Sequence, residues 1–198
     1  MYTLLKPIAV REKLLEANMH IFTPRDFELF SQLPSQKVKY FLEKESGEDG
    51  LFLRLKKGLY GLRTDLPSEE EIANRLYRPS YISFEYALGY YNILPEMTYI
   101  VTSATTKPTR TFEVTDKTFS FLKIKKEAYT GYILKKEEGK SYFIAEPEKA
   151  IVDYLYFVVL GKKQPNERLY TRFLKKEKLV EYSRLYKRGK LIRLIEKL

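Results

Sequence analysis

The sequence predicts an α+β protein: a small helix–helix–hairpin module first, then a larger sheet packed with helices. Three observations carry this. Between residues 22 and 62, two short amphipathic segments precede two strand-like runs around a Lys-Lys-Gly turn. Between 98 and 145, β-branched and aromatic residues recur in short runs bounded by turn residues. From 147 onward the apolar spacing returns to the helical period.

In chain order, the pattern predicts a first helix from Arg11 to about Met19, with Leu14, Leu15 and Asn18 on one face. Thr23-Pro24 opens a second helix, because proline suits the first helical position, where its missing N–H costs nothing. Phe27 and Phe30 share its face, and Gln32-Leu33-Pro34 breaks it. Ser35 is read as the N-cap of a third helix, Gln36 to about Lys44. Val38, Phe41 and Leu42 turn inward there, leaving Gln36, Lys37, Lys39, Tyr40 and Lys44 toward solvent. Gly47 to Gly50 ends the helix. Leu51 to Leu55 alternates, Lys56-Lys57-Gly58 turns, and Leu59 to Leu62 returns as a hairpin. Two helices, a tight turn and a basic-tipped hairpin form the order of a winged helix-turn-helix, which lays its second helix in the DNA major groove. The polar stretch Arg63 to Pro67 is read as a boundary, dividing the chain into 1–66 and 67–198.

Beyond it, Ser68 is expected to cap a helix whose first turn is Glu69-Glu70-Glu71, acids placed at the positive end of the dipole, with Ile72, Ala73 and Leu76 buried. Ser83 is expected to cap a helix from Phe84 to about Asn92, with Tyr81, Tyr86 and Tyr90 adding aromatic packing. Strands are predicted at 98–104, 110–114, 118–124, 131–134 and 141–145, with a polar turn over 135–140. Their near-consecutive order points to a mixed or antiparallel sheet. Pro147 starts the most hydrophobic helix, on which Ala150, Ile151, Tyr154, Leu155, Val158 and Val159 form the apolar face and Asp153 lies off it; Gly161 ends it. Further helices are read over about 166–176 and 180–186, with Leu191, Ile192, Leu194 and Ile195 closing the chain.

The net charge of +10 is concentrated in residues 161–198, which hold 13 Lys and Arg against 4 Asp and Glu. Lys175, Lys176, Lys178, Arg184, Lys187 and Arg188 there are candidates for auxiliary phosphate contacts or an acidic partner. The absence of cysteine excludes disulfides and thiolate metal sites. No apolar run reaches membrane-spanning length and no signal-peptide pattern opens the chain, so a cytoplasmic protein with no membrane partner is expected. The single histidine, His20, reads as structural.

Three stretches resemble a known family. They are Leu55 to Leu62; Tyr81 to Leu88 with Thr102-Ser103-Ala104 and Arg110-Thr111-Phe112; and Glu146 to Tyr156. In order and spacing they resemble the antitoxins of bacterial abortive-infection type E systems, grouped as type IV toxin–antitoxin systems. The resemblance spans roughly Ile21 to Val159. It implies an N-terminal winged helix that binds double-stranded operator DNA, two molecules on inverted repeats, and represses its own operon. It also implies a C-terminal α+β domain that counters a nucleotidyltransferase toxin in phage defence. Carried over by position, the recognition helix supplies Ser35, Gln36, Lys37, Lys39, Tyr40 and Lys44, and the wing supplies Arg54, Lys56 and Lys57. The recognition helix here carries no arginine, and the link from Ser46 to Gly50 holds two acids.

Two other classes compete. A nuclease would draw on Asp116 with Glu138-Gly139-Lys140, but that segment reads as a turn, and no Gly-rich phosphate loop, Ser-His-Asp set or HExxH accompanies it. The expectation is therefore no enzyme, no cofactor and no metal. The other is a winged-helix transcriptional regulator whose second domain senses a ligand or partner, without a toxin.

Overall fold

The computed structural model describes residues 6–96, 98–137 and 140–198 of a mixed α+β chain. It divides into two compact units, the first ending at Ser68 and the second beginning at Glu69.

The first unit runs α1 (Pro7–Glu16), β1 (Ile21–Phe22), α2 (Pro24–Ser31), α3 (Ser35–Lys44), β2 (Phe52–Lys56) and β3 (Leu59–Leu62). Helix α1 starts four residues earlier than expected, because Pro7 takes a first-turn position, and it stops short of Asn18, whose φ is 51°. Val10 and Leu14, four apart, are its buried face. Helix α2 starts on a capping box: Thr23 Oγ1 accepts from Asp26 N–H at 3.2 Å while Asp26 accepts from Thr23 N–H at 2.8 Å. Ser35 is not the cap of α3. Pro34 holds that position, Ser35 is the first helical residue, and no side chain caps the helix.

Strand β1 was not foreseen; at two residues it is too short to show a period, and it forms by pairing with β3. The sheet order is β1-β3-β2, antiparallel throughout. Lys56 lies in β2, so the turn narrows to Lys57-Gly58, where Gly58 takes the left-handed φ of 76°. The core joins both layers. Phe22, Phe27, Phe41 and Phe52 are buried together, with ring centroids 5.1 to 6.0 Å apart. Fully burying each such ring contributes about 1.5–3 kcal/mol.

The second unit runs α4 (Glu69–Leu76), β4 (Ser80–Ile82), α5 (Phe84–Tyr90), β5 (Val101–Thr105), β6 (Arg110–Val114), β7 (Lys117–Lys123), a 3-10 turn (Lys126–Ala128), β8 (Tyr132–Glu137), β9 (Lys140–Ala145), α6 (Pro147–Val159), α7 (Lys176–Leu185) and α8 (Gly189–Glu196). Six strands form one mixed sheet, ordered β6-β7-β5-β4-β9-β8. The pairs β5–β7 and β4–β9 are parallel and the others antiparallel. Rings of Tyr77, Phe112 and Phe121 meet at 5.4 to 5.7 Å beside α4 on one face, while Tyr81 reaches α6 from the other.

Several expectations are corrected here. Strand β4 lies in a stretch where no strand was expected, with Tyr81 read only as aromatic packing, and β5 begins at Val101 rather than 98. Strand β8 continues through Lys135, Lys136 and Glu137, which read as turn residues by polarity alone. Residues 138 and 139 of the expected turn lie outside the described residues. No helix forms over 166–175; α7 starts at Lys176 and α8 follows. Ser83 does not cap α5, and Asp153, expected off the apolar face of α6, is fully buried; the two residues are hydrogen-bonded to each other. No helix among the described residues is long and apolar enough to cross a membrane.

Candidate nucleic-acid interface

On α3 the inward residues Val38, Phe41 and Leu42 are at most 8 % exposed, while Tyr40 is 67 % exposed. That contrast fixes the rotation of the helix. Ser35, Gln36, Lys37, Lys39, Tyr40 and Lys44 all lie on its open side. On the hairpin, Arg54 and Lys57 are exposed and Lys56 is half-buried. The proposed contact residues therefore sit on two elements clamped to one aromatic core. Glu43 on the helix, and Glu48 and Asp49 on the link, are exposed as well and set limits on the positive potential.

The link between helix and hairpin is held by a residue that sequence reading assigned only to the boundary. Arg63 donates from Nε to the Gly50 carbonyl at 3.0 Å, and from Nη2 to the carbonyls of Gly47 at 3.0 Å and Phe52 at 3.2 Å. Gly50 packs so tightly that an added Cβ would stand 2.2 Å from the Glu45 carbonyl oxygen. Phe52 N–H also donates to Glu45 O at 2.8 Å. The arginine fork thus fixes where the hairpin starts relative to the helix. His20 stands 2.8 Å from Asp65 through Nδ1, an acid distant in sequence that the fold brings beside it.

The second unit has a different chemical centre, one that the sequence reading missed. Asp153 on α6 is fully buried and accepts four hydrogen bonds. Tyr81 OH and Ser83 Oγ donate to Oδ2 at 2.9 and 2.8 Å, and Tyr186 OH and the Lys149 ammonium donate to Oδ1. Ser83 is therefore spent on Asp153 rather than on the α5 N-terminus. Lys149 is also fully buried, with its Nζ 5.1 Å from the Tyr186 ring centroid and 3.3 Å from its hydroxyl. Burial pushes the Lys149 pKa down, and the Asp153 charge opposes that shift. Burial, reinforced by Asp153, pushes the Tyr81 and Tyr186 phenols well above their ordinary value. Because Lys149, Asp153, Tyr81 and Tyr186 are all closed to solvent, the arrangement locks strand β4, helix α6 and the end of α7 together. The legible signal was Lys149 and Asp153 at i and i+4 on the most hydrophobic helix of the chain.

Of the basic tail residues, Lys175, Arg184, Lys187 and Arg188 are exposed. Lys176 donates to the Glu196 carbonyl at 2.9 Å, and Lys178 pairs with Glu146 at 2.7 Å. The acids Glu69, Glu70 and Glu71 do more than meet a helix dipole. Glu69 pairs with Lys117 at 2.8 Å, Glu70 accepts from Tyr86 OH at 2.6 Å, and Glu71 accepts from the Ser141 N–H at 2.9 Å. Asp116 and Lys140 of the nuclease reading are exposed; Glu138 lies outside the described residues. Among the described residues no group of three or more His, Asp or Glu side chains is gathered to hold a metal ion. A groove of about 700 Å³ opens on the second unit, with Tyr99, Thr102, Ser120, Leu122 and Phe157 in its wall beside the Lys163–Glu85 ion pair. Comparison with protein-family models and with curated proteins gives no match.

Proposed function

We propose that the first unit is a winged helix-turn-helix that binds double-stranded operator DNA, with α3 in the major groove and the β2–β3 hairpin as the wing. The reading rests on one observation: the open side of α3 carries Ser35, Gln36, Lys37, Lys39, Tyr40 and Lys44, while its other side is sealed into the core by Val38, Phe41 and Leu42. Gln36, Lys37, Lys39 and Tyr40 supply base-edge and apolar contacts, and Lys44 meets phosphates, as does the wing through Arg54, Lys56 and Lys57. With the resemblance stated above, the proposal extends to a cytoplasmic antitoxin and autorepressor whose second unit counteracts a nucleotidyltransferase toxin, with no catalytic activity of its own. The DNA half is tested by fluorescence anisotropy on the duplex upstream of the gene, against a scrambled duplex. The native duplex is expected to bind tighter, and Lys37→Ala with Lys39→Ala to remove that preference. Equal binding to both duplexes by the wild type overturns it. The antitoxin half is tested by co-expression with the neighbouring gene product: growth restored by the full chain supports it, and growth arrest unrelieved overturns it.

The second reading, a regulator with a ligand-sensing second unit and no toxin, is favoured by the groove of about 700 Å³ on that unit. A neighbouring gene product without toxicity would move the assignment there.

A further inference from the structure

Strand β8 is an outer strand of the six-stranded sheet, and its chemistry differs from that of the other edge. Strand β6, at the opposite edge, shows Arg110, Thr111 and Glu113 to solvent, the polar cover by which edges avoid pairing. Strand β8 instead leaves Ile133 39 % and Leu134 48 % exposed, and Phe143, the cross-strand partner of Leu134, 42 % exposed. The hydrogen-bond phase of the edge is readable. Glu146 N–H donates to the Gly131 carbonyl at 2.9 Å across the β8–β9 ladder. Odd-numbered residues of β8 therefore turn their backbone groups toward β9, and Tyr132, Leu134 and Lys136 turn theirs outward.

We infer that this edge pairs with β8 of a second copy of the same chain, antiparallel about a two-fold axis at Leu134. The charge pattern selects both occupant and register. A two-fold axis through the ladder pairs residues of like parity, so the strand can centre on Ile133, Leu134 or Lys135. Centring on Lys135 sets two ammonium groups opposite each other, which destabilises the pair. Centring on Ile133 leaves Lys136 beyond the partner's strand, opposite the loop before it. Centring on Leu134 places Lys136 opposite Tyr132, Lys135 opposite Ile133, and Leu134 opposite itself. It engages every outward-facing residue of the strand and opposes no like charges. The exposed Leu134 and Phe143 of the two copies then form one apolar strip on a continuous sheet. Lys135 and Glu137 already neutralise one another within the strand, at 2.9 Å, so the edge fits a copy of itself better than a partner of one sign. This proposal stands independently of the DNA reading.

Sedimentation equilibrium of the full chain over a concentration series tests it, with two variants. Wild type is expected to reach the mass of two chains. Leu134→Glu and Leu134→Lys each put like charges on the axis and are expected to remain single chains, with far-UV circular dichroism unchanged. An equimolar mixture of the two is expected to regain the mass of two chains, because opposite charges then face. A wild type that stays a single chain overturns the proposal. So do two charged variants that both dimerise alone, or a mixture of two single-chain variants that stays single.

Discussion

Asp153 shows how a residue type that reads as surface becomes the centre of a unit. Its carboxylate receives Lys149, Tyr81, Ser83 and Tyr186, so both oxygens are filled. Removing one partner of a buried ion pair leaves the other charge without compensation, a loss of about 3–5 kcal/mol. Asp153→Ala is accordingly expected to lower the stability of the second unit by that order in denaturant unfolding, with Lys149→Met added in the same chain recovering part of it. A full-stability Asp153→Ala would show that the cluster does not hold the unit. The sequence offered the spacing of Lys149 and Asp153 but not their partners, because Tyr81 and Tyr186 stand 72 and 33 residues away from Asp153. The same limit applies to Arg63, whose three carbonyl acceptors lie at positions 47, 50 and 52. Residues on the open side of α3 were legible for the opposite reason: one apolar stripe on one helix fixes its rotation.

At the level of elements, local signals placed α2, α3, α4, α6 and the β2–β3 hairpin within a few residues. Each has its own punctuation, a proline start, an acidic first turn or a glycine turn. Elements made by partners were not legible. Strands β1 and β4 are two and three residues long and exist through pairing with β3, β5 and β9. The stretch 166–175 carries apolar spacing yet forms no helix, and α7 starts only at Lys176. What seats α7 is tertiary: Glu146 accepts from Lys178 Nζ and Tyr182 OH, each at 2.7 Å, and Tyr186 enters the buried cluster. The hydrogen bond from Lys178, then that from Tyr182, hold the Glu146 pKa below its ordinary value of 4.5. A carboxylate depressed in the folded state adds stability above its unfolded pKa and loses it as pH falls through the folded value. Unfolding free energy of the second unit is therefore expected to fall below pH 4.5, and Glu146→Gln to make that acid limb less steep. An acid limb unchanged by Glu146→Gln would show that α7 docks without this contact.

For the whole molecule, the +10 charge is unevenly spread along the chain. The surplus lies in 161–198, yet the side chains that could read a base edge lie on α3, so affinity and specificity need not fail together. The division was read from the polar stretch Arg63 to Pro67, and the chain divides into its two compact units between Ser68 and Glu69. The parallel pairings of β5 with β7 and β4 with β9 were not legible, since strand order depends on which edges meet after the helices have packed. The central claim is that α3 reads DNA sequence. It is tested most directly by anisotropy over a salt series on native and scrambled duplexes. Wild type, Lys37→Ala with Lys39→Ala, and a tail variant with Arg184, Lys187 and Arg188 changed to Gln are compared. The account predicts that the α3 variant loses the preference for the native duplex at every salt concentration. The tail variant is expected to keep the preference. A wild-type preference that survives in the α3 variant and disappears in the tail variant would contradict the account and move recognition to the second unit.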